Sequence, residues 1–227
     1  MPTWKVKDIL NHVQDLIGEP VGSFYNVSTR LTQINQAQRE LVQDTRAIQD
    51  VAIIPAVVGQ AEYDLPSDFL TYGREQPYYS NAISATQKLQ VVDVGWLDET
   101  FPHWRDATLS ANATPKYLAD IGQMKFVLHV TPGDLGTIYV PYVVAPTDVE
   151  TLEDEVFNGI ETVNRYSLAL AYKVAAVYMM PRVPQLGQQY LSMYNRELRQ
   201  MRHDLRVNPQ KQAKLRPTSY IQRYRGD

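Results

Sequence analysis

A change of periodicity along the chain constrains its fold more than any other feature. From about Asp50 to Thr147, prolines and glycines recur and residues alternate as in short strands. The segments on either side have helical spacing instead. Because two helical pairs that are far apart in sequence can pack into one bundle, the middle segment is predicted to be an insertion. The predicted fold class is α+β: a helical bundle from N- and C-terminal helices, an inserted antiparallel β-sandwich or barrel-like region, and an extended C-terminal tail.

This pattern predicts four segments along the 227 residues. Residues 1–49 contain the N-terminal helices of the bundle, and residues 50–147 form the inserted β-domain. Residues 148–207 contain an acidic loop and the C-terminal helices that complete the bundle. Residues 208–227, called here the docking tail, are predicted to be extended.

The two N-terminal helices differ in character. The first has one apolar face, with Thr3 as its predicted N-cap, and the pair Gly18 and Pro20 is a strong stop signal. The second, predicted over residues 28–48, has a thin apolar face among Gln, Asn, Thr and Arg. We therefore expect it to be largely exposed or packed against a polar partner.

The two C-terminal helices are predicted over residues 161–180 and 184–206. The first is apolar nearly all round from Leu168 onward, so it should be buried on most sides. Pro184 suits the first turn of the second. The predicted apolar face of this second helix consists of Leu186, Tyr190, Met193, Tyr194, Glu197, Met201 and Leu205.

Turn residues in the middle segment predict three strand pairings. The first hairpin joins VAIIPAV to AEYDLP, and the second joins KYLADI to MKFVLHV. A third pairing places TIYVPYVVAP after the turn TPGDLG. KLQVVDVG is predicted as one strand, and WLDETFPHW as a loop or short helix anchored by its aromatic residues.

Catalytic and metal-binding patterns are absent from the sequence. There is no cysteine, and the four histidines (His12, His103, His129 and His203) lack metal-ligand spacing. No nucleophile elbow, P-loop or dinucleotide fingerprint occurs. The acidic stretch 148–161 lacks the calcium-loop pattern and is predicted to be a solvated loop. We expect no enzymatic activity, no cofactor and no metal, and the longest apolar run is too short for a membrane span.

The charge is distributed unevenly. Residues 196–227 contain nine Lys/Arg and three Asp/Glu, which gives 9 − 3 = +6, and the rest contains 13 Lys/Arg and 22 Asp/Glu, or −9. A basic tail on an acidic body can bind nucleic acid or an acidic protein surface. Because apolar anchors lie among the arginines of the tail, protein docking is the favoured hypothesis. The alternative is a nucleic-acid-binding protein that acts through the basic C-terminal helix and tail.

Two stretches of the chain resemble a known family. ATPKYLADIGQMKFVLHVTPGDLGTIYVPYVVAPTDV resembles the β-region of head-to-tail adaptor (connector) proteins of tailed bacteriophages. The shared pattern is a proline, an aromatic residue, a strand ending in a Thr-Pro turn and a strand closing on Tyr-x-x-x-Pro, here Pro115, Tyr117, Thr131, Pro132, Tyr142 and Pro146. DILNHVQDLIGEPVGSF is similar to the opening of the same proteins, where the first helix ends at an Ile-Gly-Glu-Pro elbow, residues 17–20. With the late helical pair, the similarity covers most of the chain.

The resemblance implies a structural virion protein of the neck, assembled in the cytoplasm of the host bacterium. Its copies would form a ring, usually twelvefold, that joins the portal protein to the nozzle or next tail protein. Double-stranded DNA would pass through the ring without sequence recognition. The residues expected to dock on the portal are Leu215, Arg216, Tyr220, Ile221, Arg223 and Tyr224, and those expected between subunits are Tyr190, Tyr194 and Arg199.

Overall fold

A computed structural model describes residues 3–18, 26–81, 86–102, 104, 113–207 and 213–214, with the backbone alone for 206, 207, 213 and 214. These residues form two compact units. The helical unit comprises the described residues of Met1–Ile48 and Ala145–Leu215, and the β unit comprises those of Gln49–Val144. The elements in chain order are α1 Val6–Ile17, α2 Val27–Thr45, β1 Ile48–Ala56, β2 Glu62–Asp64, β3 Phe69–Tyr72, β4 Tyr78–Asn81, β5 Gln87–Lys88, β6 Gln90–Asp93, α3 Val94–Thr100, β7 Tyr117–Gly122, β8 Lys125–His129, β9 Gly136–Val144, α4 Glu161–Asn164, α5 Ser167–Met179, α6 Pro184–Val207 and β10 Ala213–Lys214.

The predicted fold class is confirmed as α+β, since helices form one unit and strands dominate the other. The described strands form two sheets and no closed barrel. The extended tail of the prediction lies outside the described residues, apart from the backbone of residues 213–214.

Local sequence signals predicted the end of α1 correctly but not its beginning. Gly18 ends α1 in the left-handed region at φ 69°, as its position predicted. The predicted N-cap is wrong, because Lys5 occupies that position and its backbone N–H donates to Asp8 Oδ2 at 3.0 Å. Thr3 instead donates its hydroxyl to Glu155 Oε1 at 2.6 Å.

Helix α2 buries one narrow face inside the helical unit. Its buried apolar residues are Ile34, Ala37, Leu41 and Val42, and the remaining surface is mostly polar. The fully buried Gln38 donates to the carbonyl of Thr147 at 3.1 Å and accepts from the N–H of Phe157 at 3.2 Å. The polar partner of α2 is therefore the backbone of the chain's own segment 147–157.

The helix predicted over residues 161–180 is broken into α4 and α5. The buried Asn164 ends α4, and the hydroxyl of Ser167 donates to its carbonyl at 2.6 Å. Helix α5 is buried on most sides, as its composition predicted.

Helix α6 begins at Pro184, as predicted. Met193 does not belong to its buried face, because this side chain is 38% exposed while Tyr190 and Tyr194 are buried.

The two sheets of the β unit share one core. The first sheet has the order β1–β9–β4–β5 within this unit, with β3 also paired to β9, and the second has the order β2–β8–β7–β6. Tyr79 and Ile138 of the first sheet cluster with Leu118, Phe126 and Leu128 of the second, and all five are buried. A second cluster contains Leu97, Ala119 and Val127. The arrangement is a small sandwich.

Only the second predicted hairpin is correct: β7 pairs with β8 from Tyr117↔His129 to Gly122↔Lys125. The first is wrong, because β1 pairs with β9 and β2 pairs with β8. The third is wrong as well, since the turn after β8 carries the chain to the other sheet. The predicted strand KLQVVDVG is split at the buried Leu89 between β5 and β6. The β6–β7 pair is parallel, so the region is not purely antiparallel.

Candidate interaction surfaces

The described residues hold no cluster of three or more histidines, aspartates or glutamates that could bind a metal ion. His129 instead packs among aromatic rings, with its centroid 4.6 Å from that of Phe101 and 6.2 Å from that of Tyr117. Burial lowers the pKa of His129, which favours the neutral ring. His129 therefore has the surroundings of a packing residue. His103 lies outside the described residues.

The aromatic residues around α3 anchor this helix to the second sheet. Trp96 lies 5.1 Å from Tyr117 and 5.9 Å from Phe101 between ring centroids, and Trp104 donates its indole N–H to Asp98 at 2.8 Å. Trp96, Phe101 and Trp104 pack against the cluster of Leu97, Ala119 and Val127. The anchoring interpretation is confirmed by these contacts.

The acidic stretch after residue 147 is a loop with mostly exposed carboxylates, as predicted, and it is also fixed against α1. The N–H groups of Val6 and Lys7 donate to the carbonyls of Asp154 and Leu152, each at 3.0 Å. These bonds satisfy orphan donors of the first turn of α1. Asp154 accepts from the hydroxyl of Thr151 at 2.7 Å and from the N–H groups of Thr151 and Glu150 at 2.8 and 2.7 Å. These bonds, that of the hydroxyl above all, hold the pKa of Asp154 below the usual value.

Glu153 lies between two lysines at the start of α1. Its carboxylate pairs with Lys7 at 2.8 Å and with Lys5 at 3.1 Å. These hydrogen bonds lower the pKa of Glu153 and raise that of Lys7, so both groups are charged at neutral pH. The pairs are exposed, so they contribute more to the position of the segment than to stability.

Most of the ion pairs in the helical unit join neighbouring elements. Four of them are Arg39–Asp148 at 2.7 Å, Lys173–Glu40 at 2.7 Å, Arg165–Asp204 at 3.2 Å and Arg202–Asp44 at 3.9 Å. In each pair a carboxylate offsets the positive charge. These four cations therefore attract phosphates less than unpaired cations would.

Two of the three residues predicted between subunits are buried inside their own helical unit. Tyr190 donates its hydroxyl to the carbonyl of Leu16, and Lys173 Nζ lies 5.2 Å from the ring centroid of Tyr194. Arg199 is exposed. The role of these three residues in subunit packing stays a prediction. The predicted portal-docking residues, Leu215, Arg216, Tyr220, Ile221, Arg223 and Tyr224, lie outside the described residues.

The first sheet of the β unit has an uncovered apolar side, called here the outer face. Along β1, Val51, Ile53 and Pro55 alternate with inward-facing residues, and all three are exposed, Ile53 at 48%. Ile53 lies opposite Tyr139 of β9, which lies opposite Tyr78 of β4, so these three side chains share one face. The rings of Tyr78 and Tyr139 stack at 4.5 Å between centroids.

One end of the outer face continues into an exposed apolar tip, formed by Val57, Val58 and Leu135. The N–H of Gly59 donates to the carbonyl of Pro132 at 3.0 Å and holds the two loops of the tip together. Leu135 is 72% exposed, the largest value among the exposed apolar residues of the described chain. Such a cluster on a sheet end is typical of an interaction surface.

A cationic cleft lies beside the stacked tyrosines. It encloses about 550 Å³ and is lined by Arg74, Glu75, Gln76, Tyr78, Thr86 and Lys88. Lys88 lies opposite Tyr78 in the β4–β5 pair. The backbone near Arg74 is fixed, because the N–H of Arg74 donates to Gln49 Oε1 at 3.2 Å and that of Gly73 donates to the carbonyl of Pro141 at 2.8 Å. The cleft combines an aromatic wall with two cations and one carboxylate.

The outer face, the tip and the cleft were not predicted from the sequence. One signal was available: the stretches from Val51 to Ala61 and from Leu135 to Thr147 contain no charged residue. The outer face and the tip are therefore a candidate interaction surface, because they are apolar and exposed.

Among the described residues, no helix combines the length and apolar character that a membrane crossing requires. A family model described as SU10 adaptor protein matches residues 4–217, which is nearly the whole chain and includes both units. No curated protein matches the chain.

Proposed function

Because the chain belongs to the SU10 adaptor protein family, whose members are phage head-to-tail adaptors, we propose that its copies form a ring between portal and tail. The protein is a structural component of the virion neck. The ring would seat on the portal, surround the DNA exit channel and receive the nozzle or next tail protein on its other side. The number of copies proposed is twelve, and assembly is proposed to take place in the cytoplasm of the host bacterium.

The observation that carries the proposal is the family match over residues 4–217. The uncovered apolar surfaces of the β unit support it, because a protein that works inside a larger assembly covers such surfaces on binding. A structural role also requires no catalytic group, so we propose no enzymatic activity.

Passage of DNA is proposed to occur without sequence recognition. Residues 1–195 have a net charge of −9, from 13 Lys/Arg and 22 Asp/Glu. The ion pairs of the helical unit offset many of its cations, for example Arg39 with Asp148 and Arg202 with Asp44. A wall of like charge repels the phosphate backbone and lets the duplex slide.

The docking tail is proposed to bind the portal. Leu215, Tyr220, Ile221 and Tyr224 would enter an apolar groove, and Arg216 and Arg223 would pair with acidic groups at its rim. Binding of the tail would then couple ring formation to the portal. Arg199, with Tyr190 and Tyr194 behind it on α6, is proposed to lie near the neighbouring subunit.

The test is negative-stain electron microscopy of the purified protein mixed with the portal encoded beside it. A ring capping the portal is expected for the full chain, and deletion of residues 208–227 should abolish it. A matched control replaces Gln210 and Gln212 with alanine and should leave the ring unchanged, whereas alanine at Leu215, Tyr220 and Ile221 should prevent binding. Stable rings without the portal, together with portal binding by the truncated chain, would overturn the proposed role of the tail.

The nucleic-acid alternative predicts a different dependence on salt. Binding through phosphates weakens steeply as the salt concentration rises, whereas docking through apolar anchors weakens little. A truncated chain that still forms rings, together with salt-sensitive binding of duplex DNA by the full chain, would assign the tail to DNA.

A further inference from the structure

The β unit carries two uncovered surfaces of different chemistry, at different places on one sheet. The apolar tip lies beyond Ala56 and Gly136, which are the last Cα partners of the β1–β9 pair. The cationic cleft lies beside Tyr78, which pairs with Tyr139 and Lys88. Leu135 lies four positions before Tyr139, so the two surfaces are about 14 Å apart along the strands.

The geometry points to a contact between copies of this chain: we propose that the apolar tip of one copy inserts into the cationic cleft of the next. Leu135, with Val57 beside it, would lie against the ring of Tyr78. Asp134, the only charged residue next to the tip in the sequence, would face Lys88. This inference rests on the proposed ring and names one of its subunit contacts.

The shapes and exposures of the two surfaces suit each other. The tip projects a leucine that is 72% exposed, and the cleft of about 550 Å³ has an aromatic wall that can receive it. Burial of one leucine side chain is too little for a stable dimer by itself. The contact would therefore form where other contacts hold neighbouring copies together, as in a ring.

Charge also favours this pairing. Lys88 lines the cleft opposite Tyr78, so an acidic group suits this position better than a basic one. The backbone that presents Asp134 is fixed, because the hydroxyl of the buried Tyr79 donates to the Asp134 carbonyl at 2.9 Å. The basic docking tail is a poorer occupant of the cleft on this criterion.

The proposed contact joins two different surfaces, so it is heterologous and propagates from copy to copy. A ring or an open chain of copies follows from such a contact, whereas a contact of tip with tip would stop at a dimer. This difference can be measured, because the chain has no cysteine of its own and introduced cysteines can form disulfides only with each other.

The experiment compares disulfide formation under mild oxidation, with and without the portal. In the double variant Leu135→Cys/Lys88→Cys, we expect a ladder of covalent oligomers on a non-reducing gel. Each single variant should stay monomeric, and a mixture of the two single variants should yield dimers. A bond within one chain is excluded because the two Cα atoms lie roughly 17 Å apart along and across the strands, beyond the limit of about 7 Å.

The control is the double variant Leu135→Cys/Ser192→Cys, which pairs the tip with an exposed position on α6 and should give no ladder. If rings form on the portal but the Leu135→Cys/Lys88→Cys variant gives no ladder, the proposed tip–cleft contact is wrong and the proposed ring is still supported. Dimers from Leu135→Cys alone would overturn the contact in favour of a tip–tip pair. A ladder without a portal-bound ring would support the contact and overturn the proposed function.

Discussion

The hydroxyl of Tyr166 donates a hydrogen bond of 2.7 Å to Oδ2 of Asp204 and joins the start of α5 to the end of α6. Tyr166 is buried, and its burial together with this bond raises its pKa to about 12. The same bond contributes most to holding the pKa of Asp204 below the usual value. A charge-assisted hydrogen bond thus connects the N-terminus of α5 to the last turn of α6.

Replacement of Tyr166 by phenylalanine is expected to lower the free energy of unfolding by about 1 kcal/mol. A bond to a charged acceptor is worth more than this when buried, but Asp204 is 28% exposed and keeps Gln200 and Arg165 as partners. Urea unfolding at pH 7 measures the change. Tyr172→Phe is the matched control, and an equal loss in both variants would contradict the role of the Asp204 bond.

The contribution of Asp204 is expected to depend on pH. Because its pKa is lowered in the folded state, its stabilisation is present above the usual aspartate value and is lost as the pH falls through the folded value. The difference between the wild-type chain and Tyr166→Phe should therefore be larger at pH 7 than at pH 2.5. A difference that stays constant over this range would show that the hydroxyl acts through packing alone.

Asp50 should show the opposite dependence on pH. Burial and the charge of Asp68 raise its pKa, although the N–H of Val51 donates to it at 2.8 Å. A raised pKa means that ionisation of Asp50 opposes folding, so its unfavourable contribution grows as the pH rises through the usual aspartate value. Asp50→Asn keeps an acceptor for Val51 and is expected to stabilise the chain at pH 7 but not at pH 3.

Urea unfolding of Asp50→Asn at both pH values measures this effect. Asp64→Asn, at a side chain that is 83% exposed, is the control and should change stability little at either pH. A loss of stability in Asp50→Asn at pH 7 would mean that the ionised carboxylate is favourable where it lies.

The helices were predictable because their signals are local. Gly18 marks the end of α1 and Pro184 marks the beginning of α6, as the sequence indicated, since each acts through its own backbone angles. The break before Ser167 was not predictable from periodicity, because it depends on Asn164. This residue accepts from the N–H of Trp4 at 2.7 Å, a partner 160 positions away.

The positions of the strands along the chain were predicted better than their pairing. Turn residues predict that a chain reverses, but not whether it returns to the same sheet or crosses to the other. Leu89 illustrates this limit, because its N–H donates to the carbonyl of Pro77, while that of Gln90 donates to the carbonyl of Lys116. Two consecutive residues thus form hydrogen bonds toward different sheets. The outer face was missed for a related reason, since both alternating sets of β1, Val51 and Ile53 against Ala52 and Ile54, are apolar.

Gly187 allows the close approach of α5 and α6, and its replacement by alanine is expected to destabilise the protein. A Cβ at this position would lie 2.8 Å from the backbone of Met180. Alanine normally stabilises a helix relative to glycine by up to about 1 kcal/mol, but here overpacking should cost about 1–3 kcal/mol. Ser192→Ala, on the exposed side of α6, should instead be neutral or slightly stabilising. Thermal unfolding of both variants measures whether each substitution stabilises or destabilises the protein. A stabilised Gly187→Ala would contradict the close approach of Gly187 to the backbone of Met180.

Leu135 and Ile138 lie three positions apart, and substitutions at the two positions should distinguish effects on assembly from effects on stability. Ile138 is fully buried between the sheets and Leu135 is 72% exposed. Ile138→Ala is therefore expected to lower the free energy of unfolding by about 2–5 kcal/mol, and Leu135→Ala to change it by less than about 0.5 kcal/mol. If the apolar tip serves assembly, Leu135→Ala should still reduce the fraction of portals capped by a ring in electron micrographs. A full set of capped portals with Leu135→Ala, at unchanged stability, would show that the tip does not contribute to assembly.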